Sequence, residues 1–296
     1  MKRESSVLKT TFFVVVFLAI LASSCTNVYF ENPVPQRGER VLKMPAELAG
    51  TYVLEPKAGE TVSELEQVVR NCIRIEADEA GNMLVSGESR LLAKDLPRFK
   101  NVLEAQKREG KVHAYRLTAS HLICTVKTDA EEGQSAGSDE QHISLIKSGP
   151  WYVLGQSAKP MWFFDFAVGR QLEYDKNSEG LSNSKWIDDA DRVSADTAQL
   201  IALQQSKIWY FNTRKGDEKA WSLVCVQRES SEVLAVRWSN LNNKSAFLQR
   251  MDYYNAITPF RKEGDNRFVI NPTDEALNQL MRDEQLFETM RLRKVE

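Results

Sequence analysis

The feature that most limits the fold of this chain is a recurring one: short stretches of alternating apolar residues, each closed by a polar turn. Leu122, Cys124 and Val126 alternate, and so do Trp221, Leu223 and Cys225. Trp151 to Leu154, Lys207 to Asn212 and Val233 to Trp238 are stretches of similar kind. A period of two sorts side chains onto the two faces of a strand. Glu79-Ala80-Gly81-Asn82, Ser148-Gly149-Pro150 and Thr213-Arg214-Lys215-Gly216-Asp217 supply turns between such stretches. Only two segments carry helical spacing. Leu96, Phe99, Val102 and Leu103 form a stripe that opens at Asp95-Leu96-Pro97 and closes at Gly110. Leu277, Leu280 and Met281 form another, with Asn271 as its expected cap and Pro272 at its first helical position. The expected fold is therefore mainly β, with antiparallel sheets forming a sandwich or barrel-like body. Two or three short helices belong to it, near 95–109 and 272–285, the latter close to the C-terminus. Met290 and Leu292 suit a last strand.

The N-terminal region has a different grammar. Lys2, Arg3 and Lys9 precede an unbroken apolar run from Phe12 to Ala22, and Ser23-Ser24-Cys25 ends it. That order marks a signal peptide over residues 1–24, too short to span a bilayer well. Ala22-Ser23-Ser24-Cys25 resembles a bacterial lipobox, with Ala22 where that pattern has leucine. The expected modification is acylation of Cys25, which ties the chain to a membrane, because more than one acyl chain gives stable anchorage. Plain secretion of the β body without lipid is the alternative. A formal charge of −2 over 296 residues leaves no basic field of the kind nucleic acid requires.

Thr26 to Leu42 includes Asn32-Pro33-Val34-Pro35-Gln36-Arg37-Gly38, and residues 25–46 are expected to form a Pro-rich tether. A mainly β half over 47–157 and another over 158–296 follow, either as two domains or as one continuous one. Three segments carry a resemblance: Tyr-Phe-Glu-Asn-Pro-Val-Pro-Gln-Arg-Gly from Tyr29 leading to Met44-Pro-Ala-Glu-Leu-Ala-Gly-Thr-Tyr, Lys207 to Asn212 with Trp221 following, and Asn271-Pro272-Thr273. In these the chain resembles uncharacterised lipoproteins of Bacteroidetes-type bacteria. The resemblance implies a cell-envelope address and no activity. Surface-exported members have acids soon after the cysteine, whereas Thr26-Asn27-Val28 follows Cys25 and Glu31 is the first acid. A periplasm-facing position is implied.

Motifs for chemistry are sparse. Three histidines, His113, His121 and His142, fall in no HExxH pattern, and the glycines form no phosphate-binding loop. No cofactor and no metal is expected. Asp188, Asp189, Asp191 and Asp196 lack the spacing of a calcium loop and read as a solvated stretch. Cys72, Cys124 and Cys225 show no redox or zinc spacing, and Cys124 and Cys225 read as buried strand residues. The most aromatic stretch is Met161 to Phe166. There Trp162, Phe164 and Phe166 face one way and Asp165 the other. Trp209 and Phe211 likewise oppose Ile208 and Tyr210, so one set is expected inward and the other at a surface for a partner. Trp162, Asp165, Trp209 and Tyr210 are thus the candidate ligand-binding residues, for an envelope protein or a glycan. The expected role is binding or structural. A glycan-acting hydrolase is the alternative, and it would need a second carboxylate across from Asp165.

Overall fold

The computed structural model describes residues 27–56, 62–110, 112–127, 138–173, 197–216, 218–239, 244–263 and 267–295. The expected signal peptide over 1–24, Cys25, Trp186 and the aspartates from Asp188 to Asp196 lie outside the described residues. The fold is mainly β, as the alternation predicts. It divides into two compact units: one falls within Pro56–Ile73 and Gly87–Lys159, the other within Ser23–Glu55, Arg74–Ser86 and Pro160–Glu296. The chain returns to the second unit at Pro160. The segments 23–55 and 74–86 also belong there, so the units are not consecutive halves.

Ten strands, most of their residues in the second unit, form a closed antiparallel barrel. Its staves are β3 (Gly50–Leu54), β4 (Val69–Ala77), β5 (Met83–Leu92), β9 (Trp151–Asp165), β10 (Arg170–Glu173), β11 (Thr197–Gln205), β12 (Ile208–Lys215), β13 (Ser222–Arg228), β14 (Val233–Ser239) and β17 (Phe287–Lys294). They stand in the sheet in chain order, and the last pairs with the first: Leu292 lies opposite Leu54 and Lys294 opposite Tyr52. The final strand expected from Met290 and Leu292 is the stave that closes the ring.

A second layer covers the outer face of β12 and β13. Between β14 and β17 come α3 (Lys244–Gln249), α4 (Met251–Ile257), β15 (Arg261–Lys262), β16 (Arg267–Ile270) and α5 (Asp274–Leu280). Strand β1 (Asn27–Phe30) pairs in parallel with β16. Phe30, Tyr210, Leu223, Cys225, Phe247 and Leu277 belong to one buried core. Cys225 is fully buried, as its alternation with Leu223 and Trp221 predicts, and Cys72, Cys124 and Cys225 are free thiols. Helix α5 begins later than expected. Thr273, not Asn271, is its N-cap, and its hydroxyl accepts the Ala276 N–H at 3.2 Å. Pro272 stands outside the helix, its carbonyl accepting from Gln36 at 3.1 Å.

The Pro-rich segment is packed into this unit from Asn27 onward. Val28, Phe30 and Val34 are buried. The side chain of Asn212, fully buried, treats Val34 as a strand neighbour would. Its Oδ1 accepts the Val34 N–H at 2.9 Å, and its Nδ2 donates to the Val34 carbonyl at 2.8 Å and to that of Ile201 at 3.2 Å. The Val41 N–H reaches the Ala202 carbonyl, and β2 (Glu39–Arg40) pairs with β11.

In the outer layer Phe247 stacks on Tyr254 with ring centroids 5.3 Å apart, and the Tyr254 hydroxyl donates to Asp283 at 3.2 Å. Burial, and then the Asp283 charge, push the Tyr254 phenol up to about 12 from 10.0. A raised folded-state pKa means the protonated phenol stabilises the fold fully below the unfolded value, and that contribution fades as pH rises through the folded one. We expect stability to fall between pH 10 and about 12. Replacing Tyr254 with Phe should flatten that limb, as read by denaturant titrations across the range. An unchanged alkaline limb would contradict the assignment.

The first unit contains α1 (Glu64–Val68), α2 (Leu96–Arg108), β6 (Ala114–Leu117), β7 (His121–Lys127), β8 (Ser138–Ser148) and the N-terminal part of β9. Helix α2 matches its expected bounds, with Phe99, Val102 and Leu103 buried against Leu91, Leu122 and Cys124. Helix α1, on a segment whose pattern favours neither helix nor strand, is held by a capping box between Ser63 and Glu66. On the face of β5 opposite Leu91, Glu88 and Arg90 form a buried ion pair, their side chains 3% and 4% exposed.

Candidate ligand site in the barrel interior

The alternation of β9 and β12 acquires a direction from two contacts. Phe164 and Phe211 have ring centroids 5.9 Å apart, and Phe166 lies 6.3 Å from Phe211. Two strands, β10 and β11, stand between β9 and β12 in the sheet. At about 4.8 Å per strand, a flat sheet would hold these rings about 14 Å apart. They touch because the sheet closes round them, so their face is the concave, inner one. The ladders carry that face onward: Trp209 lies opposite Val226 and Val226 opposite Val236, while Phe211 lies opposite Val224 and Val224 opposite Trp238.

Trp162 and Trp209 therefore share the barrel interior, with Phe164, Phe166, Phe211 and Trp238. Tyr210 faces out, into the core beneath the second layer, and burial raises its phenol pKa. Neither Trp209 nor Tyr210 is at a surface, which corrects the expectation that one set would be exposed. A strand with a barrel inside and a layer outside buries both faces, and alternation cannot report that second layer.

Asp165 has a different task. Its carboxylate accepts the Val168 N–H at 2.9 Å and lies 3.4 Å from Arg170, and its carbonyl accepts the Gly169 N–H at 2.9 Å. It builds the tight turn from β9 to β10, where Gly169 has φ 79°. It is 8% exposed, on the face opposite Trp162 and Phe164.

Around Trp209, Phe211 and Trp238 the inner face is mostly apolar, with Gln204 across from Trp209 and Glu288 across from Trp238. Trp209 and Trp238 are 5% and 4% exposed, and the indole nitrogen of each is buried without a hydrogen-bond partner. An indole N–H only donates, and leaving a buried donor unmet costs about 1–3 kcal/mol. Unmet buried donors are uncommon enough in native proteins that each needs a reason. Trp238 was not singled out by sequence reasoning. Its alternation with Leu234 and Val236 was legible, but nothing in the sequence says that their face is concave. Charge on this face lies toward the ends of the ladders. Lys215 lies 3.5 Å from Glu173, and Arg228 donates through Nε to the Ser230 carbonyl at 3.1 Å. Burial raises the pKa of Tyr52, and Arg228, three strands away, opposes that shift from the same face. Among the described residues no cluster of three or more His, Cys, Asp or Glu side chains forms a metal site. His121 is exposed, with Nδ1 2.9 Å from the Ser120 hydroxyl. No family model, curated protein or solved structure matches the chain.

Proposed function

We propose that the protein is a non-enzymatic binding protein of the bacterial cell envelope that takes a small apolar molecule into its barrel. The carrying observation is the convergence of Trp162, Trp209 and Trp238 on the inner face of a ten-strand ring. Eight staves already make an interior that side chains can fill or that can hold one small ligand, and width grows with strand number. The aromatic and aliphatic side chains around Trp209 and Trp238 support a lipid-like or aromatic ligand over a glycan, which needs many polar partners. The role of Asp165 in its turn supports binding over carboxylate-pair hydrolysis. The address rests on the run from Phe12 to Ala22 and on Cys25, the proposed site of acylation. Two residues of chain span at most about 7 Å, so a lipid on Cys25 would hold the start of β1 close to the bilayer, facing the periplasm.

Titration of the full mature chain with the neutral dye N-phenyl-1-naphthylamine tests the reading. We expect saturable, equimolar binding with energy transfer from tryptophan. Trp209→Arg, which places a charge in the interior, should weaken it at least tenfold. Trp221→Phe, on the outer face, should leave it unchanged. Non-saturable binding, or equal binding by Trp209→Arg, would refute the interior site.

A further inference from the structure

We infer that the interior ligand is an uncharged, mostly apolar molecule that offers hydrogen-bond acceptors to Trp209 and Trp238; the inference rests on the interior-site reading above. Both indole nitrogens are buried and unpartnered, and both tryptophans stand on the inner face. They belong to β12 and β14, two strands apart and two residues out of level. From strand geometry that offset is about 10 Å across the sheet and about 7 Å along it. The two donors come from different strands, and a ligand with two acceptors, or with one extended polar group, meets both. Because indole N–H only donates, the matching groups are acceptors such as carbonyl, ester, ether or quinone oxygens.

The apolar side chains beside the tryptophans disfavour an ion. Next to the two tryptophans on this face are Val224, Val226, Val236 and Phe211, with Gln204 across from Trp209 and Arg228 diagonal to it. Glu288, level with Trp238 on β17, has a partner of its own and would repel a carboxylate. Among the described residues of this face, Lys215 pairs with Glu173, and Arg228 and Lys294 hydrogen-bond to the Ser230 and Ala49 carbonyls, the latter at 2.9 Å. A cation, in turn, would meet the positive ends of two N–H dipoles. An ion buried without a counter-charge is strongly disfavoured, and a neutral acceptor is not.

Four probes of similar length separate the possibilities: an alkyl naphthoquinone, a fatty-acid methyl ester, the free fatty acid, and the all-hydrocarbon dye diphenylhexatriene. Each is titrated against the wild-type chain, Trp209→Phe and Trp238→Phe, the last two keeping a ring and losing the donor. We expect the quinone and the ester to bind at least tenfold tighter than the free acid. Each Trp→Phe change should weaken the quinone three- to tenfold and leave the hydrocarbon unaffected. Indole ¹H–¹⁵N spectra of the wild-type chain give a readout independent of the variants: the Trp209 and Trp238 N–H signals should move downfield with the quinone and not with the hydrocarbon. A free acid that binds as tightly as its ester, or indole signals indifferent to the quinone, would overturn the inference while leaving an interior site standing. Failure of all four probes, hydrocarbon included, would remove the interior-site reading itself.

Discussion

Replacing Glu88 with alanine is expected to destabilise the first unit by about 3–5 kcal/mol, the usual cost of breaking a buried ion pair from one side. Glu88 and Arg90 lie two residues apart on one face of β5, and both side chains are almost wholly withdrawn from water. Removing the carboxylate leaves a guanidinium buried without that counter-charge, and Arg cannot shed its proton to escape. The paired change Glu88→Leu with Arg90→Met should restore most of the loss, because apolar side chains of similar volume need no desolvation. Hydrogen exchange followed by mass spectrometry reports it locally: amides of β5 and α2 should lose protection in Glu88→Ala and regain it in the double variant. A single variant exchanging at the wild-type rate would show that the pair carries no such weight.

Asn212→Ala should cost about 2–4 kcal/mol, and its first symptom should be release of residues 27–42 rather than loss of the barrel. The substitution removes three hydrogen bonds and strands the N–H and the carbonyl of Val34 in a buried place, at about 1–3 kcal/mol for each orphan. Asn212→Leu restores the volume but not the bonds, so it should be nearly as harmful. Gly38 is tightly enclosed, since an added Cβ there would come within 2.9 Å of both Leu203 and Pro35. Limited proteolysis is the direct measurement. Both variants should be cut within the 27–42 segment at protease levels that leave the wild type whole, and resistance of Asn212→Leu would assign the effect to packing instead.

The strands were legible because their pattern is local. Leu122 with Cys124, Leu223 with Cys225, and the stripe of α2 each occupy a handful of consecutive residues, and each sits where its period puts it. What escaped was set by partners far away in the chain. The segment around Val34 has the composition of a linker, and its docking depends on an asparagine 178 positions later. Trp209 and Tyr210 could be sorted onto opposite faces but not ranked as inside and outside, because β1, β16 and the helices that cover Tyr210 come from elsewhere in the chain. Helix α1 is too short to show a period, and its signal is the Ser63–Glu66 capping box. Asp165 drew notice for its aromatic neighbours, yet its role follows from Val168, Gly169 and Arg170, the turn just beyond them.

The pairing of the first stave with the last sets an order of events. β3 and β17 meet at Leu54 with Leu292 and at Tyr52 with Lys294, and the Val295 N–H reaches the Thr51 carbonyl. A chain made and delivered from its N-terminus can form the meander from β9 to β14 as successive hairpins, each needing only near neighbours. It cannot close the ring until residue 294 has arrived. Until then β3 and β14 present bare edges of the kind that recruit other strands, and the aromatic interior stays open to water. Closing a ring through contacts this distant in sequence is intrinsically slow. Every molecule thus passes through an interval as an open, sticky sheet, and the length of that interval sets how much chain is lost to aggregation before it folds.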